Sequence, residues 1–153
     1  MEPTVKIDLS GWKNVVKNLQ NLRQTVKVGI IDDAENAEKA AKNEFGSFSD
    51  NIPSRPFMRK SLTLFGEEAI QKSLDGVDFT KAQGKNKILS QLGEKCAENM
   101  VKMIDTSENY FVPNAPKTAI EKGFNHPLLD TGEMRGAITY RISEANEEIE
   151  VPF

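Results

Sequence analysis

The chain has 153 residues and a net charge of -3 at pH 7, with 20 basic and 23 acidic side chains spread without a block of one sign, which excludes the footprint of a protein that holds DNA by its phosphates. Its length suits one domain over residues 1–153 with a core that needs no disulfide or metal staple, and 38% hydrophobic with 28% charged residues is the composition of a soluble globular protein. No apolar run approaches the roughly 20 residues that span a bilayer, and Met1 to Lys6 lacks a basic region followed by an apolar stretch, so the expectation is no membrane anchor, no secretory signal and synthesis in the cytoplasm.

In chain order, Val5 to Leu9 alternates apolar and polar residues as a short strand, and Ser10 stands where it can cap a helix. Trp12, Val15, Val16, Leu19 and Leu22 recur at helical spacing over residues 11–23, a stripe that predicts core. Thr25 to Ile31 is the best strand, and Gly29 within it suggests a bulge or a close backbone approach. Asp32 and Asp33 end that strand and open an alanine-rich helix from Ala34 to about Asn43, which runs into Phe45 and a stop at Gly46.

Residues 46–55 predict a loop. Pro56 suits the first turn of a helix, which Phe57, Leu62, Phe65, Ala69 and Leu74 carry to about residue 74. After Asp75-Gly76, a second long helix runs from about Thr80 or Lys85 to Asp105, with Ile88, Leu92, Cys96, Met100, Met103 and Ile104 on one face. The two helices predict a hairpin over one face of a sheet. Tyr110 to Pro116 is an apolar, proline-broken loop, Thr118 to Lys122 at most a short helix, and Thr131 to Arg135 a turn. Ala137 to Ile142 then alternates as a strand with Glu148 to Val151 as its hairpin partner. The predicted fold is α+β: a small, mostly antiparallel sheet from segments near 4–9, 25–31, 137–143 and 148–152, covered by the helical hairpin and the N-terminal helix.

The residues that catalysis needs are sparse. One cysteine and one histidine are too few for a zinc site, and no glycine-rich phosphate loop is present. No cofactor is expected. Cys96 reads as a small apolar core residue. His126, placed before Pro127 and so biased toward an extended backbone, reads as a loop residue that packs or hydrogen bonds near the turn. Asp130-Thr131-Gly132-Glu133 holds two carboxylates, and a turn in which the Asp side chain bonds its own backbone is preferred over a cation site. Arg55, Arg59 and Arg135 in an acidic chain predict ion pairs, with Glu44 and Asp130 as partners.

Two non-periodic blocks stand out: Asn43-Glu44-Phe45-Gly46 with Ile52-Pro53-Ser54-Arg55-Pro56-Phe57-Met58-Arg59, and His126-Pro127-Leu128-Leu129-Asp130-Thr131-Gly132-Glu133-Met134-Arg135. Each mixes turn-forming, cationic and large apolar residues, and the apolar ones must be buried in the domain or against a partner. Together with the Val28-Gly29-Ile30 strand, the Pro116 to Gly123 segment and the later Ile138-Thr139-Tyr140 strand, the ordered set resembles tailed-phage virion morphogenesis proteins: the head-tail connector, neck and tail-completion proteins of phages and prophages. The likeness spans roughly residues 25–143.

This resemblance implies a non-enzymatic virion component, made in the bacterial host, that forms a ring and joins the DNA-filled head to the tail. Its implied partners are further copies of itself, head-side connector proteins, tail-tube or tail-terminator proteins, and phage DNA passing without sequence-specific binding. An acidic wall would let the genome slide. The contact segments expected are Phe45 to Phe57 and Val112 to Leu129, with Phe57 and Leu129 alternatively in the core. The competing readings are a tail terminator or minor tail protein, a small hydrolase built around His126, and a nucleic-acid binding module.

Overall fold

The computed structural model describes residues 10–20, 24–81 and 84–144. The strands expected near 4–9 and 148–152 lie outside them. The elements are α1 (Ser10–Gln20), β1 (Gln24–Ile30), α2 (Ala34–Phe45), α3 (Phe57–Leu74), α4 (Gly84–Asp105), α5 (Pro116–Lys122), the single turn α6 (Glu133–Gly136) and β2 (Ile138–Glu144). The class is α+β, as predicted. Strands β1 and β2 pair antiparallel from Gln24 opposite Glu144 to Ile30 opposite Ile138, so segments from the first and last thirds of the sequence meet in one ribbon. The Thr25 and Ser143 hydroxyls lie 3.1 Å apart across it.

The register is continuous, so Gly29 makes no bulge. Its φ of 147° is a conformation that favours glycine, and it is buried facing Met58. Helix α4 lies against both strands and against α3, so the middle layer of the fold is α4 alone, with α3 outside it. Its approach to the sheet depends on Gly93, where a Cβ would lie 2.3 Å from the Tyr140 ring.

The core gathers Ala40 of α2, Phe57 of α3, Met103 and Ile104 of α4, Leu128 and Met134, with Ile30, Phe65 and Ile138 packed on it. Cys96 and Met100 are buried on α4, as the helical spacing predicts. Helix α3 departs from its predicted face. Leu62 and Leu74 are exposed, because the buried side of α3 runs instead through Phe57, Ser61, Ala69 and Ser73. The two serines are small enough for close helix packing, and their hydroxyls donate to the Met58 and Ile70 carbonyls, so no polar group is stranded by burial. Helix α1 departs too: Trp12 is 65% exposed, and Val15 and Val16 are half-buried.

Candidate functional site

The first block is a knot between two helices. The Asp33 carboxylate caps α2 at the Asn36 amide, and α2 ends at Gly46, whose φ of 81° suits glycine and whose missing Cβ leaves room for the Ser54 amide. Ser47 and Ile52 then exchange two 2.9 Å backbone hydrogen bonds, closing a short hairpin in which Asn51 has φ 53°. Beyond it the Arg55 amide donates to the Asn43 carbonyl and the Ser54 hydroxyl to the Glu44 carbonyl.

Glu44 is the centre of this knot. Its side chain is 4% exposed and points at the start of α3, where its two carboxylate oxygens accept from the Met58 amide at 2.9 Å and the Arg59 amide at 3.1 Å. Pro56 occupies the cap position itself, one residue earlier than the first helical turn predicted for it, and offers no side-chain cap. A carboxylate from the preceding helix therefore supplies what the local sequence lacks, at the end of α3 where negative charge is favourable. The Arg59 Nε also donates to Glu44, at 2.9 Å, and its guanidinium lies over the Phe45 ring.

Arg55 links the first block to the second. Almost wholly buried, it donates from Nε to the Val112 carbonyl and from Nη2 to the Pro113 carbonyl, both at 3.1 Å. The predicted carboxylate partner is replaced by two backbone oxygens, which suit the planar fork of the guanidinium. Burial pulls its pKa down from the usual arginine value. The proline-broken loop is thus held by a residue 57 positions earlier.

In the second block, the buried Ser107 hydroxyl donates to the Pro127 carbonyl. His126 places Nε2 2.9 Å from the Ile104 carbonyl and Nδ1 3.1 Å from Glu108. The ring thus stands between two oxygens beside the turn, consistent with a loop residue that packs or hydrogen bonds there. Leu128 is the residue that enters the core, with Leu129 half-buried beside it and its carbonyl accepting from Lys122 Nζ. Burial pushes the Lys122 pKa down, opposed in part by the Asp130 carboxylate.

Gly132 takes the left-handed conformation, and the predicted turn becomes the single helical turn α6, opened by the Glu133 amide facing the Thr131 hydroxyl at 3.4 Å. Arg135 does not pair with Asp130. It makes a bidentate pair with Asp105 at the end of α4, at 2.6 and 2.7 Å, because α6 aims its side chain back at that helix end. The bond to Arg135 holds the Asp105 carboxyl below its usual range.

The two blocks meet across one groove of about 380 Å³. Ile52, Pro53 and Arg55 line it from the first block, Asp130, Thr131, Gly132, Met134 and Arg135 from the second, and α2 lies between them with Asn36 and Lys39. Two lining residues, Asn36 and Asn114, each carry a buried amide atom, Oδ1 and Nδ2, without a hydrogen-bond partner among the described residues. Glu44, Phe45, Pro56, Phe57 and Arg59 lie away from the lining. Phe57 is wholly buried and Met134 nearly so, which gives both a core role, with Met134 at the floor of the groove.

The groove mixes signs, with Lys39, Arg55, Lys122 and Arg135 facing Asp50, Asp130 and Glu133. Among the described residues no group of three or more His, Cys, Asp and Glu side chains is placed to hold a metal ion. Burial pushes the Cys96 thiol up, away from the reactive thiolate. Around the frame stand apolar side chains that the domain does not cover: Phe45, Phe48, Val112 and Ile120, with Phe48 entirely exposed in the hairpin. Asp105, Ser107 and the Val112 carbonyl are hydrogen-bonding parts of this frame that sequence reading missed. Their partners are 20 to 57 positions away, so no local pattern marks them.

No family model, no curated protein and no solved structure matches this chain. Among the described residues no helix is long and apolar enough to cross a membrane.

Proposed function

We propose that this chain is a structural, non-enzymatic component of a tailed-phage virion at the head-tail junction, a neck or tail-completion protein that forms a ring and joins the DNA-filled capsid to the tail. The observation that supports this reading best is the meeting of the two sequence blocks. Residues that resemble one family at separate places along the chain build one braced frame, tied by Arg55 to the Val112 and Pro113 carbonyls.

That frame presents Phe45 and Phe48 on one segment and Val112 and Ile120 on the other, apolar side chains held in place without a core to enter. Preorganised apolar projections lower the entropy lost on docking, so they suit contacts between subunits or with neighbouring rings better than they suit a substrate. A ring grows from a heterologous contact that closes by rotation. The chain's acidic balance fits a conduit that repels phosphate.

The protein is made in the host cytoplasm and then resides in the virion. Its partners there are copies of itself, the head-side connector and the tail-tube or tail-terminator proteins. Antibody labelling of assembled particles tests the placement: label at the neck supports it, label along or at the far end of the tail favours a minor tail protein, and particles without the protein overturn it.

A further inference from the structure

Arg55 carries a charge that the domain buries without a counter-ion. It is 6% exposed, and its side-chain hydrogen bonds among the described residues run from Nε and Nη2 to the Val112 and Pro113 carbonyls. Burial alone shifts its pKa, so no carboxylate of the described residues stands close enough to oppose it. An unpaired buried charge is costly, and folded proteins pair such groups. The remaining nitrogen, Nη1, has no partner among the described residues, yet it is not one of the unpartnered side-chain atoms sealed from solvent. It therefore opens on the groove that Arg55 lines.

Most other charges of this groove have partners. Arg135 is held by Asp105 and Asp50 by Lys42. Lys39 meets both Glu133 and Glu35, two well exposed carboxylates that solvent screens. Arg55, Lys122 and Asp130 remain, two positive charges against one negative, and none of the three forms an ion pair among the described residues. Lys122 is half-buried, and its Nζ donates to the Leu129 carbonyl at 2.6 Å with further N–H groups to spare. Thr118 lies one turn earlier on the same face of α5 and lines the groove with a hydroxyl that has no partner among the described residues.

We propose that this groove binds one carboxylate carried on a short apolar body, with Arg55 and Lys122 holding the carboxylate, Thr118 beside them, and Leu128 and Met134 beneath the apolar part. The site stands apart from the ring reading and does not depend on it. One negative charge balances the set of Arg55, Lys122 and Asp130, whereas a doubly charged phosphate would be repelled by Asp130. A flat carboxylate also fits the edge of a guanidinium. Leu128 and Met134, both largely buried, give the groove an apolar floor, and its volume of about 380 Å³ is at the small end of ligand sites. The carboxylate is that of a small free acid or of an acidic side chain on another protein.

The full chain is titrated with sodium isovalerate and with isovaleramide, the uncharged molecule of the same shape, and followed by amide NMR and thermal unfolding. The expected result is a saturable shift of the amides of Thr118 to Lys122 and Asp130 to Glu133 and a rise in Tm with isovalerate, with the amide binding about tenfold weaker or less. Lys122→Gln, which keeps a donor for the Leu129 carbonyl, weakens isovalerate binding about tenfold. Asp130→Asn, at an exposed position, tightens it about threefold or more, a gain that a loosened fold does not produce. A glutamate blocked at both ends identifies the source: tighter binding than isovalerate assigns the site to an acidic side chain, weaker binding to a free acid, and both support it.

The site is overturned by isovalerate and isovaleramide binding equally well, by no saturation with isovalerate in the millimolar range, by inorganic phosphate binding more tightly than isovalerate, or by an Asp130→Asn protein that binds no tighter. None of these results touches the ring reading.

Discussion

The Glu44 carboxylate accepts the Met58 amide at 2.9 Å, so the last turn of α2 caps the first turn of α3 across a loop of 11 residues, 46–56. The loop, with its hairpin and exposed Phe48, is thereby clamped at its base. Replacing Glu44 by Ala strands the Met58 and Arg59 amides at the start of α3 and is expected to cost about 2–3 kcal/mol in urea denaturation. Glu44→Gln, which keeps one acceptor, should cost less. A Glu44→Ala protein as stable as wild type contradicts the capping role.

Arg55 holds the 112–113 backbone by two carbonyl bonds that a lysine cannot reproduce from one ammonium. Arg55→Lys and Arg55→Ala should both loosen this loop, seen as faster amide exchange and protease cleavage between Tyr110 and Ala115, with a loss of about 1–3 kcal/mol. Full protection of that segment in Arg55→Lys counts against the tether.

Gly93 offers a test decided by sign. Helix propensity alone favours Gly93→Ala by about 1 kcal/mol. The Tyr140 ring stands where the new methyl group would go, so the substitution is expected to destabilise by about 1–3 kcal/mol instead. In a Tyr140→Ala background the same change should become neutral or stabilising, a coupling read by a double-mutant cycle. A stabilising Gly93→Ala in the wild-type chain contradicts the packing of α4 on β2.

The Asp105 to Arg135 pair carries a pH dependence of known sign. The carboxyl is depressed in the folded state, so its contribution is present above the unfolded value of about 3.9 and is lost as the pH falls through the lower folded value. Both side chains are well exposed, which limits the contribution to at most about 1 kcal/mol. Asp105→Asn should therefore be less stable than wild type at neutral pH, and the gap should close as the pH falls below about 4. A gap that widens in acid contradicts the assignment.

What could be read from the sequence follows from the range of each interaction. Periodicity located α2, α3, α4 and the strand at 24–30 because those signals repeat every two or four residues. The helix stop at Gly46 and the Arg59 to Glu44 pair could be read for the same reason, since they lie at a turn or close along the chain. Arg135 with Asp105 and Arg55 with Val112 could not, because tertiary packing brings them together from far apart. The single turn α6 is too short for a period. Ser61 and Ser73 concealed the buried face of α3: hydroxyls satisfied by their own helix look polar in sequence yet pack as small core residues. That displacement left Leu62 and Leu74 outside the core, where the sequence had suggested they would be inside.

The proposed assembly into a closed ring is tested most directly by the mass and symmetry of the purified protein, by sedimentation from micromolar to millimolar concentration with electron microscopy of the largest species. The expected result is one discrete closed ring with an open centre and no open filaments. A monomer throughout that range, or a dimer with two-fold symmetry that grows no further, contradicts it.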